Sequence, residues 1–165
     1  MRRYKSEKVG DFKMGVMDVI KYNGRPDVFA WKYPGEELGT WSQLVVNQSQ
    51  EAVLVKGGSV ADVFGPGTHT LDTKNIPFGG KSPFKAEVWY INKGYYLDIK
   101  WGTPTPIQIQ DPKYGIFIPI RSNGAFGIHV TDSVKFLTKL VTTMNVFDAE
   151  TVTKYFRSLY VTKIK

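Results

Sequence analysis

Past residue 25 the hydrophobic period of this chain of 165 residues changes once, near Asp132, and that change limits the folds open to it. Before Asp132, short β-forming runs alternate with Gly and Pro; after it, apolar residues recur every three or four positions. A sheet-first, helix-last chain of one domain's length reads as α+β. The 16 Gly and nine Pro break the chain every few residues, and no apolar run approaches the ~18–20 residues that a bilayer-spanning helix needs. No apolar core of a secretory leader follows the basic start, which points to a cytoplasmic protein.

The β-forming runs are separable by their turns. Val28 to Tyr33, between Pro26 and Pro34-Gly35, and Trp41 to Val46, after Gly39-Thr40, read as strands. Glu51 to Lys56 and Val60 to Phe64 flank Gly57-Gly58, a two-residue hairpin turn. Gly65-Pro66-Gly67 is a tight bend leading to Thr68 to Leu71; it lacks the Lys-Ser/Thr ending of a phosphate loop. A second hairpin is expected from Phe84–Asn92 and Tyr95–Trp101 about Lys93-Gly94, and a third from Tyr114–Arg121 and Ala125–Val130 about Ser122-Asn123-Gly124. Pro104, Pro106 and Pro112 confine Ile107 to Gln110 to a short or edge strand, because proline donates nothing to a ladder.

Both ends read as helical and basic. Residues 5–22 place Val9, Phe12, Val16, Val19 and Ile20 at helical spacing with Lys5, Lys8, Lys13 and Lys21 between them. Such a helix either packs on its own domain or lies on an anionic membrane surface. Past Asp132, which with Ser133 is placed to cap a first turn, Val134, Leu137, Val141 and Met144 share one face with Phe136 and Leu140 beside them. Asp148 then caps a helix carrying Val152, Tyr155, Phe156 and Leu159, whose spacing of three and four suits lateral pairing. No Gly or Pro ends it before Lys165, so it is expected to continue in a longer chain.

The charge follows the same division. Net charge is +7; residues 1–25 carry +4, residues 133–165 carry +4, and the aromatic-rich middle carries −1. A nucleic-acid surface would interleave its cations with its aromatics, so nucleic acid is not expected as a partner. Cysteine is absent, which removes thiolate chemistry and disulfides. His69 and His129 stand in no metal-ligand spacing, no Gly-x-Ser-x-Gly elbow occurs, and the central carboxylates select no pair. Neither an enzyme, a metal nor a cofactor is expected. Trp31, Trp41, Trp89 and Trp101 lie in or beside strands and would serve equally as core or as anchors of a soluble β-rich module for carbohydrate or peptide.

Longer motifs carry a resemblance. The run from Ser49 to Leu71, a strand-turn-strand closing on Gly65-Pro66-Gly67, resembles the opening hairpin of SPFH (band-7) domains of stomatins, prohibitins and flotillins. Met17-Asp18-Val19-Ile20, Asp62 to Leu71, Ser82 to Val88 and Leu97 to Thr103 are similar to a bacterial, virion-core-protein-like branch. Phe78-Gly79-Gly80-Lys81 stands where that branch usually has a longer insertion. The resemblance implies a bent antiparallel sheet with flanking helices over residues 26–145, preceded by a basic amphipathic helix over 1–25 and followed by the start of a helical segment over 146–165. It also implies a non-enzymatic scaffold that self-associates, peripheral to the inner face of the cell membrane, with lipid or a membrane-bound protein as partner. Arg2, Arg3, Lys5, Lys8 and Lys13 are the expected contacts to anionic lipid, and Val152, Tyr155, Phe156 and Leu159 the expected contacts between copies.

Overall fold

A computed structural model of the chain describes residues 18–39, 41–71, 84–141 and 144–164, with side chains described as far as Phe156. In chain order the first strands are β1 (Val19–Lys21), β2 (Val28–Lys32), β3 (Glu37–Leu38), β4 (Gln43–Val46), β5 (Gln50–Lys56), β6 (Ser59–Phe64) and β7 (Gly67–Thr70). There follow β8 (Phe84–Lys85), β9 (Glu87–Asn92), β10 (Tyr96–Gly102), β11 (Ile107–Gln110), β12 (Phe117–Ile120) and β13 (Asn123–Ile128). A short helix, α1 (Ser133–Phe136), runs directly into a π-helical stretch (Leu137–Val141), and β14 (Val146–Asp148) precedes α2 (Ala149–Ile164). The described residues form a sheet-dominated α+β domain.

A five-stranded sheet of order β14-β2-β9-β5-β6 is the frame. Its central strand β9 is buried from Val88 to Ile91, and successive side chains serve opposite faces. On one face Ala52, Leu54, Val88 and Tyr90 join Ile20 and Leu44 from the sheet β1-β4-β7 and Leu71 just past β7, with Leu38 and Phe84 from the pair β3-β8. On the other, Val53, Trp89 and Ile91 join Ile99 of β10, Leu137 and Val141 of the π-helical stretch, Phe147 of β14 and Val152 of α2. The sheet is thus sandwiched between a second β layer and a helical layer, each covering apolar side chains that would otherwise face water.

Several expectations hold at the level of single turns. Gly57 and Gly58 close the β5-β6 hairpin with φ of 58° and 79°, a left-handed pair that two glycines adopt without a Cβ penalty. Asp132 caps α1 by accepting from the Lys135 amide at 2.9 Å, and Asp148 caps α2 by accepting from the Thr151 amide at 3.0 Å.

Others are corrected. Residues 1–17 lie outside the described residues, but Val19–Lys21, expected on a helix, form a strand in which only Ile20 is buried, and β1 pairs with β4 in parallel rather than antiparallel fashion. The second expected hairpin does not form: β9 has β2 on one side and β5 on the other, so β10 pairs with β13 instead. The third does not form either, because β12 folds back on β11. Asn123-Gly124, expected as its turn, lies in β13 opposite Gly102 and Trp101. Gly124 is small for a packing reason: a Cβ there would meet Nε1 of Trp101 at 2.9 Å. Met144, expected on the apolar face, is exposed, and residues 146–148 extend the sheet before the last helix begins.

Candidate functional site

The two histidines do structural work. The Nε2 of His69 lies 2.8 Å from the Gly65 carbonyl and its ring packs on Phe64, which braces the Gly-Pro-Gly bend. His129 is exposed and its ring lies against that of Tyr95, tilted by 36° with centroids 4.3 Å apart. Among the described residues no group of three His, Asp or Glu is placed to hold a metal ion. The tryptophans are dispersed: Trp89 is buried, Trp31 stacks on Tyr22 at 4.8 Å, Trp101 lies over Gly124, and Trp41 is exposed alone.

Two apolar surfaces remain without a covering layer among the described residues. The first is the β11-β12 ribbon, a sheet of only two strands. Its register pairs Ile107 with Ile120 and Ile109 with Ile118, so four isoleucines share one face while Gln108, Gln110, Phe117 and Pro119 share the other. Of the fourteen exposed large hydrophobic residues described, six lie on this ribbon or its turn, which makes it a patch rather than scatter. The turn is preorganised: the amides of Lys113 and Tyr114 both donate to the Asp111 carboxylate at 2.8 Å.

The second surface is a cleft between the end of β13, the π-helical stretch and α2. Its position is fixed from the central sheet. Glu51 of β5 accepts from the Ser133 hydroxyl and from Lys93 Nζ at 3.2 Å, while Lys93 also donates to the Thr131 carbonyl at 2.9 Å. These bonds pin the start of α1 over β5. Phe136 then stands edge-on to Phe147 at 5.3 Å, and Phe126 and Tyr155 each stand edge-on to Phe156. The Lys135 amide, with the Lys135 ammonium 3.3 Å from the carboxylate, holds the Asp132 carboxyl below the usual carboxylate range.

The expected site residues divide accordingly. Arg2, Arg3, Lys5, Lys8 and Lys13 lie outside the described residues, as does the side chain of Leu159. Val152 is 0% exposed and packs under the central sheet, so it belongs to the domain's own core and is withdrawn from the surface on which it was expected. Tyr155 is 54% exposed and Phe156 half-buried, and both line the cleft.

The chain belongs to the SPFH domain-Band 7 family, whose model matches residues 28–165. It is similar to the uncharacterized protein YdjI of Bacillus subtilis (strain 168), with 28% identity over 140 residues that cover 78% of this chain and 43% of that protein. The chain therefore spans less than half the length of that relative. No solved structure matches it significantly. Among the described residues no helix is long and apolar enough to cross a membrane.

Proposed function

We propose that this domain is a non-enzymatic scaffold that associates with further copies of itself at the cytoplasmic face of a membrane. The observation that carries the reading is the isoleucine face of the β11-β12 ribbon. Ile109, Ile118 and Ile120 are between 41% and 48% exposed, and full burial of such a side chain contributes about 1.5–3 kcal/mol, so a substantial part of that stabilisation is unrealised in the single chain. An isolated two-stranded ribbon is marginal in water. Lipid is a poor cover for it, because the outer edges of both strands would carry unpaired backbone groups into hydrocarbon at several kcal/mol each. A second protein surface is the better cover, and Pro119 in β12 disfavours simple edge-to-edge extension, leaving face-to-face packing.

In this reading Tyr155, Phe156 and Leu159 of α2 extend the contact between copies, and Arg2, Arg3, Lys5, Lys8 and Lys13 steer the assembly to anionic lipid at about 1 kcal/mol per side chain near the surface. Sedimentation velocity tests the first part: Ile118→Lys, with unchanged far-ultraviolet circular dichroism, is expected to sediment as a smaller species than the parent chain. Equal, concentration-independent sedimentation of both refutes the ribbon as an interface. Vesicle flotation tests the second: reversing the five basic charges is expected to abolish recovery with phosphatidylglycerol vesicles, and undiminished recovery refutes electrostatic docking. A membrane-bound protein partner then becomes the means of recruitment.

A further inference from the structure

The cleft beside the π-helical stretch has a volume of about 600 Å³, within the ~300–1,000 Å³ typical of small-molecule sites. Its interior is apolar: Phe147 and Val152 are buried, and Phe136, Leu140 and Phe156 stand around them. Charged side chains in the lining are Asp132, Lys135 and Lys139, and the other polar ones are His129, Thr131 and Tyr155. Lys135 is paired with Asp132, whereas Lys139 takes part in no ion pair among the described residues, so the lysines and carboxylate of the lining sum to +1. One wall is the Leu137–Val141 stretch that supplies Lys139 and Leu140, and π-helical turns are rare and concentrate at functional sites.

We infer that this cleft is a binding site for a single-chain anionic amphiphile, one fatty carboxylate at a time, with the alkyl chain over Phe147 and Val152 and the carboxylate at Lys139. The charge pattern selects that class. An apolar interior with its excess cation on the charged part of the lining complements a molecule that is apolar along its length and anionic at one end. A sugar or nucleotide would desolvate its polar groups against phenyl rings and aliphatic side chains with few partners to replace water. A cationic amphiphile would meet Lys139 with like charge. Tyr155 and Phe156, which the scaffold reading places at the contact between copies, also line this cleft, and Ile118→Lys separates the two readings because the ribbon lies outside the cleft.

Displacement of the fluorescent probe 1-anilinonaphthalene-8-sulfonate by decanoate, dodecanoate and tetradecanoate, each below its micelle concentration, tests the assignment on the intact chain. Each two-carbon extension is expected to tighten binding about fifteen-fold until the cleft is full, which is ~0.8 kcal/mol per buried methylene converted to a ratio. Lys139→Glu is expected to weaken dodecanoate by roughly ten-fold or more and to leave dodecanol unchanged, since only the carboxylate loses a charged partner. Leu140→Trp, which fills the cleft, is expected to remove binding of both, and Ile118→Lys on the ribbon to alter neither. The assignment is overturned by affinity independent of chain length, by equal loss of dodecanol and dodecanoate in Lys139→Glu, by undiminished binding in a folded Leu140→Trp, or by uptake into phosphatidylglycerol vesicles with no binding of the monomeric acids. If Leu140→Trp fails to fold, the comparison of acid with alcohol in Lys139→Glu decides the matter.

Discussion

Replacing Tyr90 with Phe isolates the bond that joins the two β layers. Tyr90 is 1% exposed in the middle of β9, with its ring beside the stacked pair Tyr22 and Trp31 at 6.3 and 6.1 Å. Its hydroxyl donates to the Ile20 carbonyl at 2.7 Å and also lies 3.1 Å from the Val45 carbonyl, so a single proton ties the five-stranded sheet to the parallel pair β1-β4. Phe keeps the ring contacts and removes the oxygen. The lost bond is worth about 0.5–1.5 kcal/mol net, and the buried carbonyls left short of a donor add part of a further ~1–3 kcal/mol, giving about 1–3 kcal/mol in total. Equilibrium urea unfolding near pH 8 reads this as a lower midpoint at unchanged slope. A second signature follows from titration. Burial, and to a lesser degree the nearby Tyr33 phenol, holds the Tyr90 phenol well above its ordinary 10.0. Below that value the phenol is neutral in both states and pH has no effect through it. Above it the unfolded phenol ionises while the folded one does not, so the parent chain loses up to ~1.4 kcal/mol per pH unit that the Phe variant keeps. The two proteins are therefore expected to converge in stability between pH 9 and 11. A loss under ~0.5 kcal/mol at pH 8, or parallel profiles up to pH 11, refutes the buried bond.

Asp148→Ala is expected to cost about 0.5–2 kcal/mol by thermal melting, because the Thr151 amide and hydroxyl at the start of α2 lose their acceptor. Burial alone would raise the Asp148 carboxyl, but the bonds from Thr151 and the charge of Arg25 outweigh it and hold the carboxyl below its ordinary 3.8. Its contribution is thus fully present above pH 3.8 and is lost as pH falls through the lowered folded value, so the Ala variant is expected to show a shallower acid limb in the same melting series. Gly124→Ala is expected to destabilise by about 1–3 kcal/mol and to shift tryptophan emission, because the added Cβ would displace the Trp101 ring from its 2.9 Å approach; an unchanged spectrum would mean that Gly124 serves a turn instead.

What the chain's order makes legible is whatever a few adjacent residues decide among themselves. Gly57-Gly58 dictates its hairpin because both positions adopt positive φ, and Asp132 and Asp148 dictate helix starts because each carboxylate reaches an amide three residues on. Strand partners are decided otherwise. Val88 to Ile91 is apolar on both faces and therefore central, and a central strand takes two neighbours, here β2 and β5, far from it in sequence. Lys93-Gly94 offers a turn, but β10 finds no free edge on β9 to return to. The same competition explains β1: helical spacing over residues 5–22 is a property of one segment, whereas the burial of Ile20 between flanking exposed residues is set by β4 and by the Tyr90 hydroxyl. The cleft is the extreme case, since Leu140, Phe147 and Phe156 come from three elements that no local signal joins. The one trace of it is the apolar row Phe136, Leu137, Leu140 and Val141, which is wider than a single helix needs to sit on one sheet. Leu137 and Val141 are spent on the core, and the surplus pair Phe136 and Leu140 is what lines the opening.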